Sequence, residues 1–106
     1  MIEFHYFEGC PNALESLRNL MRAIEKVGIP KSLVQVIEIP DMETAITHNF
    51  QGSPSVVLDG EDIYTGSPSS GACYTCRMYD FGDGMTGVFP VEFLIEKLNH
   101  YTRRDK

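Results

Sequence analysis

Between Pro11 and Val27 the apolar residues Ala13, Leu14, Leu17, Leu20, Met21, Ile24 and Val27 recur at steps of three and four, while Glu15, Arg18, Arg22, Glu25 and Lys26 take the other positions. That spacing lays an apolar stripe along one side of a helix and fits no strand. Gly28 is a natural helix stop, and Pro30 prevents the helix from resuming. Extended apolar runs lie on both sides of it. Ile2, Phe4 and Tyr6 alternate with Glu3, His5 and Phe7, which predicts a strand ending near Phe7. Leu33 to Ile39 is nearly continuous in apolar residues, as expected of a strand covered on both faces, and Pro40 ends it. A strand, a long helix and another strand make a βαβ unit with parallel strands and a right-handed crossover.

The rest of the chain adds elements to this unit. Asp41 is placed to cap a short helix with Met42, Ala45, Ile46 and Phe50 inward, leaving through Asn49 to Gly52. Val56-Val57-Leu58, then Asp59-Gly60, then Ile63-Tyr64 predicts an antiparallel hairpin, because Asp-Gly supplies the positive φ values of a primed two-residue turn. Pro90 opens a last helix with Val91, Leu94, Ile95, Leu98 and Tyr101 inward and Glu92 in its first turn. Between these, residues 65–89 contain Gly66, Gly71, Gly82, Gly84 and Gly87, and beyond a helical turn or two around Ser70 to Tyr79 no regular element is expected. So long an irregular stretch in a small domain is more often functional than decorative. Asp59, Glu61 and Asp62 read as solvated acids at a hairpin tip, and Asp80 and Asp83 as turn formers. Tyr74, Met78, Tyr79 and Phe81 either cover a cysteine site or simply pack the loop.

A chain of 106 residues, 42% hydrophobic, holds one core and one domain, residues 1–106. Its formal net charge of −6 argues against nucleic acid or an anionic membrane surface as partner. The basic cluster of Arg103, Arg104 and Lys106 reads as a solvated tail that complements the negative end of the last helix. Neither a signal peptide nor a membrane span is expected, and the chain reads as cytoplasmic. Three cysteines are too few for a secreted disulfide scaffold. One at a helix start together with a Cys-x-x-Cys points to redox or metal chemistry.

That first cysteine lies in Tyr6-Phe7-Glu8-Gly9-Cys10-Pro11-Asn12-Ala13. With Pro11 as the first helical residue, Cys10 would be the N-cap, among unpaired N–H groups that favour thiolate over thiol. The thiolate is both the nucleophile and the soft-metal ligand. A buried thiol acting as a small hydrophobe is the competing expectation. His5 should face away from the Ile2/Phe4/Tyr6 set, with a structural partner.

The order β-α-β-α-β-β-α, a cysteine at the first helix start and Gly52-Ser53-Pro54 before the third strand resemble the thioredoxin-like superfamily, over residues 1–64 and the final helix. The resemblance implies an α/β fold with a central mixed four-stranded sheet and helices on both faces. It also implies a cis Pro54 lying against Cys10. A dithiol thioredoxin would have its second cysteine where this chain has Ala13, so the motif is monothiol. Phe-x-Gly-Cys-Pro-Asn, Gly-Ser-Pro-Ser-Val-x-x-Asp-Gly and Cys-Arg-x-Tyr together look like a group of small bacterial thioredoxin-like proteins, some labelled as related to organomercurial lyase. Cys76 and Arg77 correspond to that pattern, and Cys73 is additional.

Three functions from different classes follow. The first is a thiol–disulfide redox protein in which Cys10 attacks a protein or small-molecule substrate and Cys76 or Cys73 resolves, or Cys73 and Cys76 pair themselves. Pro54, Pro11 and Ser53 would border the site, and Arg77 would either stabilise a neighbouring thiolate or form an ion pair. No cofactor is needed. The second is a soft-metal protein with Cys10, Cys73 and Cys76 around one mercury, copper or zinc ion, His5 or His48 completing a structural zinc set. The third is a non-catalytic binding module that uses Ser53-Pro54 and the 65–89 loop.

Overall fold

The computed structural model describes residues 1–104; Lys106, assigned above to a basic tail, lies outside the described residues. The chain forms an α/β fold with a mixed four-stranded sheet. Its main elements are β1 (Ile2–Tyr6), α1 (Ala13–Val27), β2 (Val34–Glu38), α2 (Met42–His48), β3 (Ser55–Leu58), β4 (Glu61–Asp62) and, after a long connection, α3 (Val91–Arg104). The sheet order is β2-β1-β3-β4, with β1 parallel to β2 and antiparallel to β3. Within the connection, β5 (Tyr79–Asp80) and β6 (Met85–Thr86) form a small hairpin, and the helical turn expected around Ser70 to Tyr79 is absent. The glycines there bend the chain back on itself instead. No helix among the described residues is long and apolar enough to cross a membrane.

The period-two alternation of β1 sorts its side chains onto two faces. Ile2 and Phe4, opposite Leu58 and Val56 of β3, enter the main core with Leu20, Ile24, Phe89, Leu94 and Leu98 from α1 and the α3 region. Burial of each such side chain contributes about 1.5–3 kcal/mol. His5 and Phe7 face the other way, where Ile39, Ala45 and Phe50 make a second, smaller core under α2. His5 is buried, donates from Nε2 to the Glu3 carboxylate at 2.7 Å, and has its pKa lowered by burial despite that carboxylate. Helices therefore lie on both faces of the sheet.

Three expectations about burial are corrected. Val34–Glu38 is an edge strand and Val36 is 47% exposed, so the near-continuous apolar run is not covered on both faces. The strand buried throughout is β3, which has neighbours on both sides. In α1 the buried face is Ala13, Ser16, Asn19, Leu20, Ala23 and Ile24, rotated away from Leu14, which is 60% exposed. Polar contacts set the rotation. Ser16 accepts from the Phe89 N–H at 3.2 Å and Asn19 donates to the Phe89 carbonyl at 2.8 Å, fastening the end of the long connection to the helix. Likewise Met42 and Ile46 of α2 point outward, and only Ala45 of that helix is buried.

The C-terminus of α1 and the N-terminus of α2 follow the sequence closely. Gly28, at φ 87°, closes α1 with its N–H on the Ile24 carbonyl at 3.0 Å. Asp41 caps α2, accepting from the Thr44 N–H at 2.8 Å, and this bond holds its carboxyl below the ordinary value. A depressed folded-state pKa makes the cap fully effective above the unfolded-state value and removes it as pH falls through the folded value. Acid titration followed by NMR should therefore move the Thr44 amide resonance only below the ordinary carboxylate range. Asp41→Asn should make that amide indifferent to pH over the same interval.

Candidate functional site

The chemistry expected of Cys10 is built at the carboxyl ends of the parallel strands, where open α/β sheets present their loops. After β1, Gly9 turns the chain at φ 92° and the Cys10 N–H bonds the Phe7 carbonyl at 3.3 Å. The Ala13 N–H then bonds the Cys10 carbonyl at 3.4 Å, so Pro11 and Asn12 form a turn ahead of the helix. Here the expectation is corrected: Asn12 is the N-cap of α1, Pro11 precedes the helix, and Cys10 sits one turn further out. Proline's fixed φ suits the second position of a turn as well as a first helical position, which is why the sequence admitted both. Cys10 is half-buried. It borders an apolar cavity of about 260 Å³ between α1 and β2, lined among others by Phe4, Tyr6, Leu14, Leu17 and Val36.

Ser53 joins Cys10's loop to the other two cysteines. Its hydroxyl accepts from the Phe7 N–H at 3.3 Å, and the Ser53–Pro54 peptide bond is cis. On its other side the Ser53 N–H bonds the Thr75 carbonyl at 2.9 Å and its carbonyl accepts from the Arg77 N–H at 2.9 Å, a parallel bridge that sets Cys76 opposite Ser53. Cys73 is held by its own N–H on the Phe50 carbonyl at 2.7 Å. Tyr74, between them, packs its ring on Phe7 at 5.4 Å and donates from its hydroxyl to the Ile39 carbonyl at 3.1 Å. Cys73 and Cys76 are exposed and all three cysteines are free thiols. Backbone contacts place Cys10 beside Phe7, Cys76 opposite Ser53 and Cys73 against Phe50. Among the described residues, however, the three cysteines do not form a group close enough to share one ion.

Arg77 is engaged with the sheet. Its guanidinium makes a two-pronged contact with Asp62, at 2.6 and 2.9 Å, reaches Ser55 at 3.2 Å and lies over the Tyr79 ring at 4.7 Å. Burial alone would lower the guanidinium pKa; Asp62 and Tyr79 outweigh it and raise it. Burial also pushes the Tyr79 phenol upward, and that hydroxyl donates to the Pro54 carbonyl. Of the two roles weighed for Arg77, the ion pair is the one observed. Asp62, expected as a solvated acid at a hairpin tip, is 3% exposed and is the partner that ties residues 75–79 to the sheet. Phe81 packs with Phe93 and Tyr79, while Met78 is 49% exposed, so of the loop's aromatic and Met residues it is Tyr74 that borders the cysteines.

Gly52 marks how closely the two strands approach. It has φ 112°, and a Cβ there would meet Arg77 Cβ at 2.8 Å and the Thr75 carbonyl at 3.2 Å. Gly52→Ala is expected to destabilise the chain by about 1–3 kcal/mol from backbone conformation alone, with the steric contact adding to it. A thermal unfolding midpoint equal to wild type would contradict this.

The groove residues Leu14, Leu17 and Val36 escaped sequence reasoning because a regular apolar stripe reads as core. The signal that separates them is Ser16 and Asn19, polar residues three apart on the side of α1 that packs inward. Asp62 carried no comparable signal, since its partner lies in the long connection. No protein-family model, curated protein or solved structure matches the chain.

Proposed function

We propose that this is a thioredoxin-like thiol–disulfide protein in which Cys10 is the nucleophile and a cysteine of the 73–76 segment resolves. The observation that carries it is the pairing of the 73–77 segment with Ser53, whose hydroxyl also holds Phe7 beside the Cys10 turn, so that two distant parts of the chain bring their free cysteines to one end of the sheet. The strand order β2-β1-β3-β4, with helices on both faces and a cysteine just ahead of α1, supports the thioredoxin-like assignment. The apolar cavity beside Cys10 supports a polypeptide substrate with an apolar side chain next to its disulfide.

In this mechanism the Cys10 thiolate attacks one sulfur of the substrate disulfide, forms a mixed disulfide and expels the other sulfur as thiolate. The thiolate of Cys76 or Cys73 then attacks Cys10 Sγ, releasing the second substrate sulfur. The substrate gains two electrons, the chain is left with one internal disulfide, and an external dithiol returns it to the starting state. Alternatively Cys73 and Cys76 form the pair themselves, one attacking the substrate disulfide and the other resolving the mixed disulfide to leave a Cys73–Cys76 bond.

Free thiols counted by mass spectrometry after oxidation of each Cys→Ser single variant test the assignment. The expected result is one disulfide in the parent chain and a trapped mixed disulfide on Cys10 when its resolving partner is serine. If Cys10 keeps its thiol in every variant, the nucleophile is assigned wrongly.

A further inference from the structure

The face of the sheet beneath α2 carries a second cluster of chemistry, separate from the thiols. Alternation places Glu3 and His5 on the same side of β1, and His48, the last residue of α2, comes over them. The His5 and His48 rings are 5.7 Å apart and nearly edge-on, and His5 Nε2 is 2.7 Å from Glu3 Oε1. One donor atom from each of the three residues lies within 4.8 Å of the others. A further observation points to a ligand. His5 is 1% exposed, yet its Nδ1 has no hydrogen-bond partner, an uncommon state for a buried ring nitrogen. Glu3 and His48 are only partly buried, so the cluster is reachable from solvent.

We propose that Glu3, His5 and His48 bind one divalent transition-metal ion of the zinc class, at a site that uses none of the cysteines. Two imidazoles and a carboxylate are borderline donors, suited to Zn²⁺, Co²⁺ or Ni²⁺ rather than to Ca²⁺ or Mg²⁺. Three protein ligands leave one tetrahedral position for water or a substrate atom. Bonds of about 2.0–2.1 Å require donors roughly 3.4 Å apart, a closure that rotation of the half-exposed Glu3 and His48 side chains provides. His5 is the fixed member, set in an inner strand with Phe50 packed at 6.3 Å against its ring. Phe50 also touches Phe7, so its ring contacts both the cluster and the thiol end of the sheet.

The test uses the full chain with Cys10, Cys73 and Cys76 all changed to serine, which removes thiol ligation and makes the outcome independent of the redox proposal. Calorimetric titration with Zn²⁺ should show one equivalent bound. Co²⁺ should give visible d–d bands without a thiolate charge-transfer band. His48→Ala and Glu3→Gln, made in that background at partly exposed positions, should each weaken Zn²⁺ binding roughly tenfold or more, while circular dichroism confirms that both fold. Less than one equivalent bound by the cysteine-free chain overturns the proposal, and so does equal affinity in the folded parent and both variants.

Discussion

A chain carrying Cys10→Ser is expected to lose disulfide exchange down to the uncatalysed background, while its unfolding transition stays close to wild type. Exchange proceeds only through a thiolate, and a serine hydroxyl with no base beside it is not ionised at neutral pH. Cys10 is half-buried at a turn and is not one of the large side chains that fill the core, so oxygen for sulfur changes little packing. The single replacements Cys73→Ser and Cys76→Ser should behave differently. Each leaves the first attack intact, and the one that removes the resolving thiol should let the mixed disulfide accumulate. Rates measured with a chromogenic disulfide would separate the cases. Wild-type turnover in Cys10→Ser would transfer the nucleophile to the 73–76 segment.

Arg77→Ala is expected to cost about 3–5 kcal/mol, the penalty for leaving a buried carboxylate without its cation. Asp62 is 3% exposed and both its oxygens are bound by the guanidinium, so no water shell replaces the lost contact. The melting temperature should fall by at least ~10 °C. Arg77→Lys should not restore it, because a single ammonium cannot reproduce a planar two-pronged contact while lying over the Tyr79 ring. The double change Arg77→Met with Asp62→Asn should be closer to wild type than Arg77→Ala alone, since it removes the charge along with its partner. An Arg77→Ala protein that melts with the parent would show that Asp62 does not depend on this cation.

The elements were legible in the sequence wherever a local rule decided them. The spacing of apolar residues placed α1, Asp59-Gly60 placed the hairpin, Gly28 ended a helix and Asp41 began one. What escaped depended on partners distant in the chain. The edge position of β2 is set by sheet order, which the strand's own residues do not encode. Rotation of α1 depends on Phe89, and burial of Asp62 depends on Arg77, each supplied by the long connection. Of the site, the three cysteines and Ser53-Pro54 were visible as motifs. The cavity wall was harder to read, because only the polar pair Ser16 and Asn19, and not the leucines themselves, tells which side of α1 packs inward.

Both main-chain hydrogen-bonding groups of Ser53 are satisfied by Thr75 and Arg77, so the chain has already docked against itself at that edge. A visiting polypeptide gains nothing there from its own amides. In the proposed exchange, selection among substrates would then fall to side-chain shape along the Leu14, Leu17 and Val36 wall, and to how readily a disulfide could reach residue 10 from that flank.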